Sequence, residues 1–559
     1  MANSSLHETS KCFGLVLLSF LVLPVSTIVA LVSIFFSTQP RTRASPPPNP
    51  DPLPERKPTD PNCRRPPQRT ILVTGVGMAK GLSLARAFHL SGHRVIGADT
   101  SPHPLIPCPG RFSRALSAFY RLPTTTAADD DDDNAYARRL VAVVEAERVD
   151  LWVSCSGVAG AAQDARAKEA VEAAAGTRRR CRCRCVQFGA RETAALHEKD
   201  AFVRESAARG LPVPETHEVR SREEILGILF SSAGSEEKKQ EEEEEEGGGR
   251  SRSRKRKRFI LKPVGVDDAN RGDMTLLPLA TEGETRRHLA CRLPASAERP
   301  WILQRFVPGG EEYCTHALVV RGEVRCFAAC PSSELLMHYE ALPRDSPLLL
   351  DMLDFTARFV ARSPSPETMT GHLSFDFMVD SNGESSGGGN DDDDKTPGRG
   401  KILYAIECNP RAHTAVVLFA QQGPEMEAMV QAYLSVIDGA QDGEVNGVLS
   451  KTKNVGRSVV MPAPDSRARY WIGHDLVSFL IQPVARFAAG RLKLNQLSAA
   501  FVKFLTHIWS WKDGTFEAWD PLPALILYHL YWPSMFMLTW WQGRRWSRVN
   551  VSTTKMFLY

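Results

Sequence analysis

The sequence predicts an α/β fold: an open, doubly wound sheet at the front of the folded part, more mixed α/β structure behind it, and an apolar helix preceding everything. Three observations predict this. Thr70-Ile-Leu-Val-Thr74 reads as a buried strand, with Gly75, Gly77 and Gly81 after it and then apolar residues at helical spacing. The strand type recurs at His93–Asp99 and Asp150–Ser154. Phe13–Phe36 carries no charge at all.

Taken in order, residues 1–12 form a short tail and 13–36 a helix long enough to cross a hydrocarbon core of ~30 Å. The stretch exceeds a signal-peptide core and has no small-residue cleavage site behind it; a cleaved signal peptide is the rival reading. Arg41, Arg43, Arg56, Lys57, Arg64, Arg65 and Arg69 follow it, against Lys11 alone before it. By the positive-inside tendency the chain is a single-pass membrane protein with everything after residue 40 in the cytosol. Residues 37–68 are a Pro- and Arg-rich linker with too little apolar content to fold. In the next segment Leu82, Leu84, Ala85, Phe88 and Leu90 form one helix face, Ser91-Gly92 ends it, and a βαβ unit results, parallel and right-handed. A further helix is expected over 135–148.

Composition excludes some classes. Of 559 residues, 43% are hydrophobic and 24% charged, and the formal net charge is only +4, so nothing points to nucleic acid. The twelve cysteines show no disulfide framework, which fits a reducing compartment. Cys181, Cys183 and Cys185 alternate with arginines that would repel a cation, so this is a basic loop feeding a strand and not a zinc site. Asp129–Asp133, residues 235–258 and residues 381–400 are low-complexity insertions unable to bury apolar area. The basic run Arg254–Arg258 sits beside a glutamate run and reads as a solvated loop.

The turn Gly75-Val-Gly77-Met-Ala-Lys-Gly81 resembles a dinucleotide fingerprint, with Asp99 ending the second strand as a ribose acid would. The third glycine is displaced by one. A tight βα turn of any doubly wound domain reads equally from it, and an NAD(P)-dependent oxidoreductase stays as an alternative.

Four motifs carry the chemistry. The first is Leu196-His-Glu-Lys199-Asp-Ala-Phe202 at a helix start, and the second Phe259-Ile-Leu-Lys262-Pro263, a strand ending in lysine. The third is Trp301-Ile-Leu-Gln304-Arg-Phe306-Val307-Pro-Gly-Gly-Glu-Glu312, a strand entering a glycine turn. The fourth joins His372-Leu-Ser-Phe-Asp376-Phe377 to Tyr404-Ala-Ile-Glu407-Cys-Asn409-Pro-Arg411-Ala-His413. Two lysines can clamp nucleotide phosphates as point charges. The strand edge at 304–307 offers a backbone carbonyl and N–H to adenine. Asp376, Glu407 and Asn409 are hard oxygen donors suited to Mg²⁺ on phosphates. In a strand Glu407 and Asn409 share a face, with Arg411 on the same side.

These motifs resemble the ATP-grasp enzymes, and within them the mycosporine-glycine synthase branch. Further matching segments are Met78–His89, Glu312-Tyr-Cys-Thr-His316, Ile406–His413, Tyr470-Trp-Ile-Gly-His474 and Trp519-Asp-Pro-Leu-Pro523. The resemblance implies an ATP-grasp fold: a pre-ATP-grasp α/β domain over 69–190, a small subdomain over 191–300, a large subdomain over 301–440 and an extension over 441–559. It implies a carbon–nitrogen ligase using ATP and Mg²⁺, with Mn²⁺ as an alternative, that joins an amino acid such as glycine to 4-deoxygadusol. Lys199 and Lys262 would hold phosphates, Gln304 with the backbone of Phe306 and Val307 adenine, and Glu312 the ribose. Asp376, Glu407 and Asn409 would bind the metal. Arg271 and Arg411 would attend the phosphoryl group or acceptor. The loop after Lys262 has only Gly265 and Gly272, and Arg305 stands where such strands commonly have an acid.

The apolar, aromatic stretch Pro521–Trp541 contains His529 and Pro533 and is followed by Arg544, Arg545 and Arg548. Membrane-interface association and packing on the catalytic part are both open readings of it.

Overall fold

The computed structural model describes residues 2–37, 67–101, 103–124, 134–157, 160–177, 183–230, 257–263, 273–292, 296–308, 310–332, 337–380, 402–438 and 459–558. The chain divides into two compact units: 1–193 with 314–374 and 409–558, and 194–313 with 375–408. The Asp129–Asp133 run and the 381–400 insertion lie outside the described residues, as does the 235–258 insertion apart from Lys257 and Arg258.

In the first unit α1 (Ala2–Phe36) precedes β1 (Thr70–Thr74), α2 (Ala79–Leu90), β2 (Arg94–Thr100), β3 (Ala118–Leu122), α3 (Ala135–Glu147), β4 (Leu151–Val153), α4 (Ala161–Thr177) and β5 (Arg184–Val186). The helix starts at Ala2, so the expected tail over 1–12 is helical. The five strands are parallel in the order β3-β2-β1-β4-β5, as the βαβ reading requires. Both faces of this sheet are covered, which is why β1 is an unbroken apolar run. Ile71 and Val73 pack with Leu84 and Phe88 of α2, and Leu72 points the other way to Leu140 and Val143 of α3 and Trp152. Cys183 and Cys185 are buried in that second layer, and all ten cysteines among the described residues are free.

The second unit takes over within α5 (Ala190–His197) and continues with α6 (Lys199–Ala208), β6 (Thr216–Ser221), α7 over 222–230, β7 (Phe259–Pro263), β8 (Leu276–Leu277), α8 (Glu282–Arg292) and β9 (Ser296–Arg305). Its antiparallel sheet runs β6-β9-β7-β8. Val219, Phe259, Leu261 and Leu303 on one face bury against Ile225 and Leu229 of α7 and Leu289 of α8. The opposite face carries Thr216, Lys262 and Gln304 by register.

A further sheet, in the order β11-β10-β12-β13, comprises β10 (Glu311–Val320), β11 (Glu323–Pro331), β12 (Gly371–Asp380) and β13 (Ile402–Asn409), with α9 (Pro347–Ala361) between β11 and β12. The chain passes from one unit to the other within β10, β12 and β13.

The first unit is completed by α10 (Pro424–Asp438), β14 (Arg469–Tyr470), and a helix, α11, running through Ile472–Asp475, a π-turned Leu476–Ile481 and Gln482–Ala488. Then come α12 (Leu494–Ser510), β15 (Lys512–Asp513), and α13 through Leu522–Ile526, Leu527–Tyr531 and Trp532–Trp541. The hairpin β16 (Trp546–Asn550) and β17 (Lys555–Leu558) ends the described chain. Between the two readings of Pro521–Trp541, much of α13 is packed: Trp532 and Phe536 are buried, and Phe536 stacks on Trp546. α1 lies antiparallel along it, with Phe13 against Trp540 and Ser19 Oγ donating to the Tyr528 carbonyl.

Candidate functional site

In the second unit, α6 begins at Lys199, whose Nζ lies 3.2 Å from Glu407 Oε2 on β13. Each side chain is about a quarter exposed, at 24% and 23%. The cation therefore rests on a carboxylate that the sequence assigns to metal. On the β7–β9 face Lys262 Nζ donates to Gln304 Oε1 at 3.0 Å, and Gln304 Nε2 donates to Thr216 Oγ1 at 3.2 Å. Gln304 is buried, so its amide is oriented by two neighbours and Lys262 is held toward it.

The strand edge needs one correction. Phe306 N–H donates to the Arg258 carbonyl at 2.7 Å, because β9 continues its pairing with the β7 side by one residue. That N–H is spoken for, and the Phe306 carbonyl and the buried Val307 remain as the edge's offer to a base. Glu312 is exposed at the start of β10. On β12 Phe375 and Phe377 are buried while Asp376 and Met378 alternate to a more open face. β12 and β13 are neighbours, as expected for Asp376 and Glu407. Arg271 lies outside the described residues.

Asn409 and Arg411 belong to the first unit. Glu407 and Asn409 are alternate residues of β13 and share a face. Asn409 Oδ1 accepts from Arg411 Nη2 at 2.9 Å. Arg411 thus orients the amide, and Asn409 would exchange this bond on taking a metal. The two part-exposed carboxylates of the second unit, Asp376 and Glu407, are of the donor type that suits a hard divalent cation.

Sequence reasoning gave no role to the residues packed behind this loop. Lys80, 1% exposed, donates to the Ser156 and Ala412 carbonyls, both at 2.8 Å. Burial, then the nearby Arg411, pushes its pKa down to about 7. His413 N–H donates to His316 Nδ1 at 3.3 Å, and His413 Nδ1 accepts from Ala415 N–H, capping the turn over Thr414–Phe419. His372 Nε2 lies 2.8 Å from the Tyr433 hydroxyl. Burial holds His316 down at about 3 and keeps His372 and His413 far below the usual histidine range, so the group is neutral. Lys80 lies in the first turn of α2, just before Gly81, and nothing in the sequence separates it from a surface lysine.

The turn after β1 offers no dinucleotide cradle. Gly75 has φ +74°, and a Cβ at Gly81 would meet its carbonyl at 2.4 Å, so these glycines serve a tight strand–helix approach. Gly77 N–H donates to Asp99 Oδ2 at 2.6 Å, and Ala79 N–H at the start of α2 donates to the Ser552 carbonyl. The amides a pyrophosphate would need are engaged, and Asp99, pushed up to about 6 by burial, faces the turn instead of a ribose. The oxidoreductase alternative loses its site.

Two other polar groupings lie in the first unit. A cavity of about 270 Å³ is lined by Arg86, Arg469, Lys512, Glu517 and Trp519 and lies outside the predicted motifs. Arg86 is bound to Asp520 at 2.9 Å and Lys512 to Glu517 at 2.8 Å. Buried Asp475 accepts from His338 Nε2 at 2.8 Å and His507 Nδ1 at 2.6 Å, tying α11 to α12.

No family model matches the chain, and no curated protein matches it. Among solved structures it is similar to pyruvate carboxylase from Rhizobium etli, at 14% identity and a TM-score of 0.42, over 72% of this chain and 32% of that one. It is similar to an L-amino acid ligase from Bacillus licheniformis at 12% identity and a TM-score of 0.41, over 68% and 79%. It is also similar to N5-carboxyaminoimidazole synthetase from Staphylococcus aureus at 12% identity and a TM-score of 0.39, over 66% and 77%. The chain spans about a third of the length of the pyruvate carboxylase. Likenesses this distant assign neither activity nor substrate.

Proposed function

We propose that the chain is an ATP-grasp ligase: it uses ATP and Mg²⁺ to phosphorylate an oxygen of a small-molecule acceptor, which an amine then displaces to form a carbon–nitrogen bond. The observation that carries the reading is the Lys199–Glu407 pair, with Lys262 on Gln304 in the same unit. A lysine at 3.2 Å from a carboxylate, both about a quarter exposed, is a cation placed where it can also take a phosphate oxygen. On binding, the ammonium exchanges a carboxylate for a phosphate oxygen and frees the carboxylate.

Asp376, Glu407 and Asn409 are the residues that would hold Mg²⁺, which would supply charge stabilisation to the phosphates. The chain's own residues do the rest. Lys199 and Lys262 fix the phosphates, Gln304 and the Phe306–Val307 edge fix the base, and Arg411 neutralises charge on the transferring phosphoryl group. The acceptor oxygen attacks the γ-phosphorus and ADP leaves. The amine nitrogen then attacks the activated carbon, inorganic phosphate departs with the C–O electron pair, and the nitrogen loses a proton.

For the substrates, 4-deoxygadusol and an amino acid such as glycine are the reading that the motif resemblance supports. A carboxylate and an amine of another secondary pathway are the second. Incubating the full chain with ATP, Mg²⁺, 4-deoxygadusol and a panel of amino acids separates them. A condensed product with ADP release is expected; ADP released without that product points to the second acceptor, and no nucleotide turnover with any acceptor defeats the ligase reading.

A further inference from the structure

We infer that the chain is a monotopic membrane protein: α1 lies in one leaflet with the α11–α12 hairpin and does not cross the bilayer. Thr9–Phe36 is apolar and long enough to span, which makes crossing the first expectation. The contacts of α1 oppose it.

The start of α1 is fastened to the folded body. Lys11 Nζ donates to the Trp546 and Ser547 carbonyls at 3.2 and 3.3 Å and sits 3.5 Å over the Trp546 ring. Cys12 is buried and accepts from Trp546 Nε1. Six residues beyond Trp546, Ser552 is fully buried and its carbonyl accepts from Ala79 N–H, at the head of α2. Six residues reach at most about 22 Å, whereas the hydrocarbon core is ~30 Å thick. The two ends of that hairpin arm, and Lys11 with them, therefore lie on one side of a bilayer. The chain after α1 must return to β1 in this same body. Residues 38–66 carry Arg41, Arg43, Glu55, Arg56, Lys57 and Arg64, among other charges, and cannot recross lipid.

What α1 shows to the outside is a stripe, not a cylinder. Cys12 and Ala30 are buried, while Leu17, Phe20, Leu21, Val25, Ile28 and Phe35 are 59–86% exposed. α12 repeats the pattern: only Phe504 and His507 are buried, and Leu494, Phe501, Val502, Leu505, Ile508 and Trp509 are 44–88% exposed. Their spacing is that of one helix face and its flank. The two elements are linked through α13, since Tyr528 gives its carbonyl to Ser19 and packs its ring where a Gly473 side chain would be. Lipid is the occupant that fits. Residues 476–511 contain Arg486, Arg491, Lys493 and Lys503 and no acidic residue, the charge pattern of an interfacial helix pair on anionic headgroups.

The inference is independent of the ligase reading. The full chain is tested in sealed phosphatidylcholine vesicles with and without phosphatidylserine. Peptide tags at the N-terminus and within residues 38–66 are both expected to be protease-accessible from outside; protection of either one until detergent is added overturns the inference. Trp509→Ser and a Val502→Glu/Leu505→Glu pair, at exposed positions, are expected to lower vesicle flotation at least ten-fold with an unchanged melting temperature. Undiminished flotation overturns the hairpin's role. A detergent-free dimer that shields Trp509 from an aqueous quencher identifies a second copy as the occupant and overturns it as well.

Discussion

Two regions of this chain read as nucleotide sites in the sequence, and their polar groups behave oppositely. In the turn after β1 every candidate group is saturated: Gly77 N–H by Asp99, Ala79 N–H by Ser552, and Lys80 by two carbonyls at 1% exposure. In the second unit Lys199 and Glu407 hold each other at roughly a quarter exposure, within reach of solvent and of an incoming anion. A charge that has nowhere else to go is architecture. A charge whose partner can be exchanged is where we propose the nucleotide binds.

The sharpest attempt to break this contrast is Glu407→Gln. It keeps the shape and removes one metal charge, so ATP turnover is expected to fall by about 10²–10³, with the melting temperature nearly unchanged. Steady-state ADP release and calorimetry check both halves, and retained turnover would erase the distinction. Lys80→Met tests the other side. Two buried carbonyls lose their donor, so unfolding free energy should drop by about 2 kcal/mol in a urea titration, while the KM for ATP stays put.

Lys262→Met sharpens the site reading. Loss of a charged hydrogen-bond donor to phosphate, about 1.5–3 kcal/mol, should raise the KM for ATP roughly ten- to a hundred-fold. The smallest expected effect is on pH. Folded Lys80 titrates near 7 and the unfolded residue at its ordinary 10.5, so across that window the unfolded chain binds more protons. Its contribution to stability therefore rises with pH between these values, by about 1.4 kcal/mol per unit at most. Urea midpoints from neutral to mildly alkaline pH should climb in the native chain and lose that slope in Lys80→Met.

The parallel sheet was legible because periodicity is local: Thr70–Thr74, the helix after it and the strand at 94–100 announce themselves within thirty residues. Lys199, Lys262, Gln304 and Glu407 were legible as residue types in an ordered series. Their pairing was not, since the Lys199–Glu407 contact depends on how distant elements close. Lys80 was hidden for the same reason, its acceptor Ala412 being 332 positions away. Hydropathy made the apolar helix over 13–36 legible, but it takes no account of what covers one face of a helix, so the contacts of Lys11 and Cys12 with Trp546 were not.

That covering face has a consequence for biosynthesis. The Trp546 carbonyl that Lys11 binds lies 535 positions downstream, so α1 leaves the ribosome long before the β16–β17 hairpin it packs with. At ~5–20 residues per second the delay is roughly half a minute to two minutes. Throughout it the most apolar segment of the chain needs a temporary custodian, whether a targeting factor, a chaperone or the lipid surface itself.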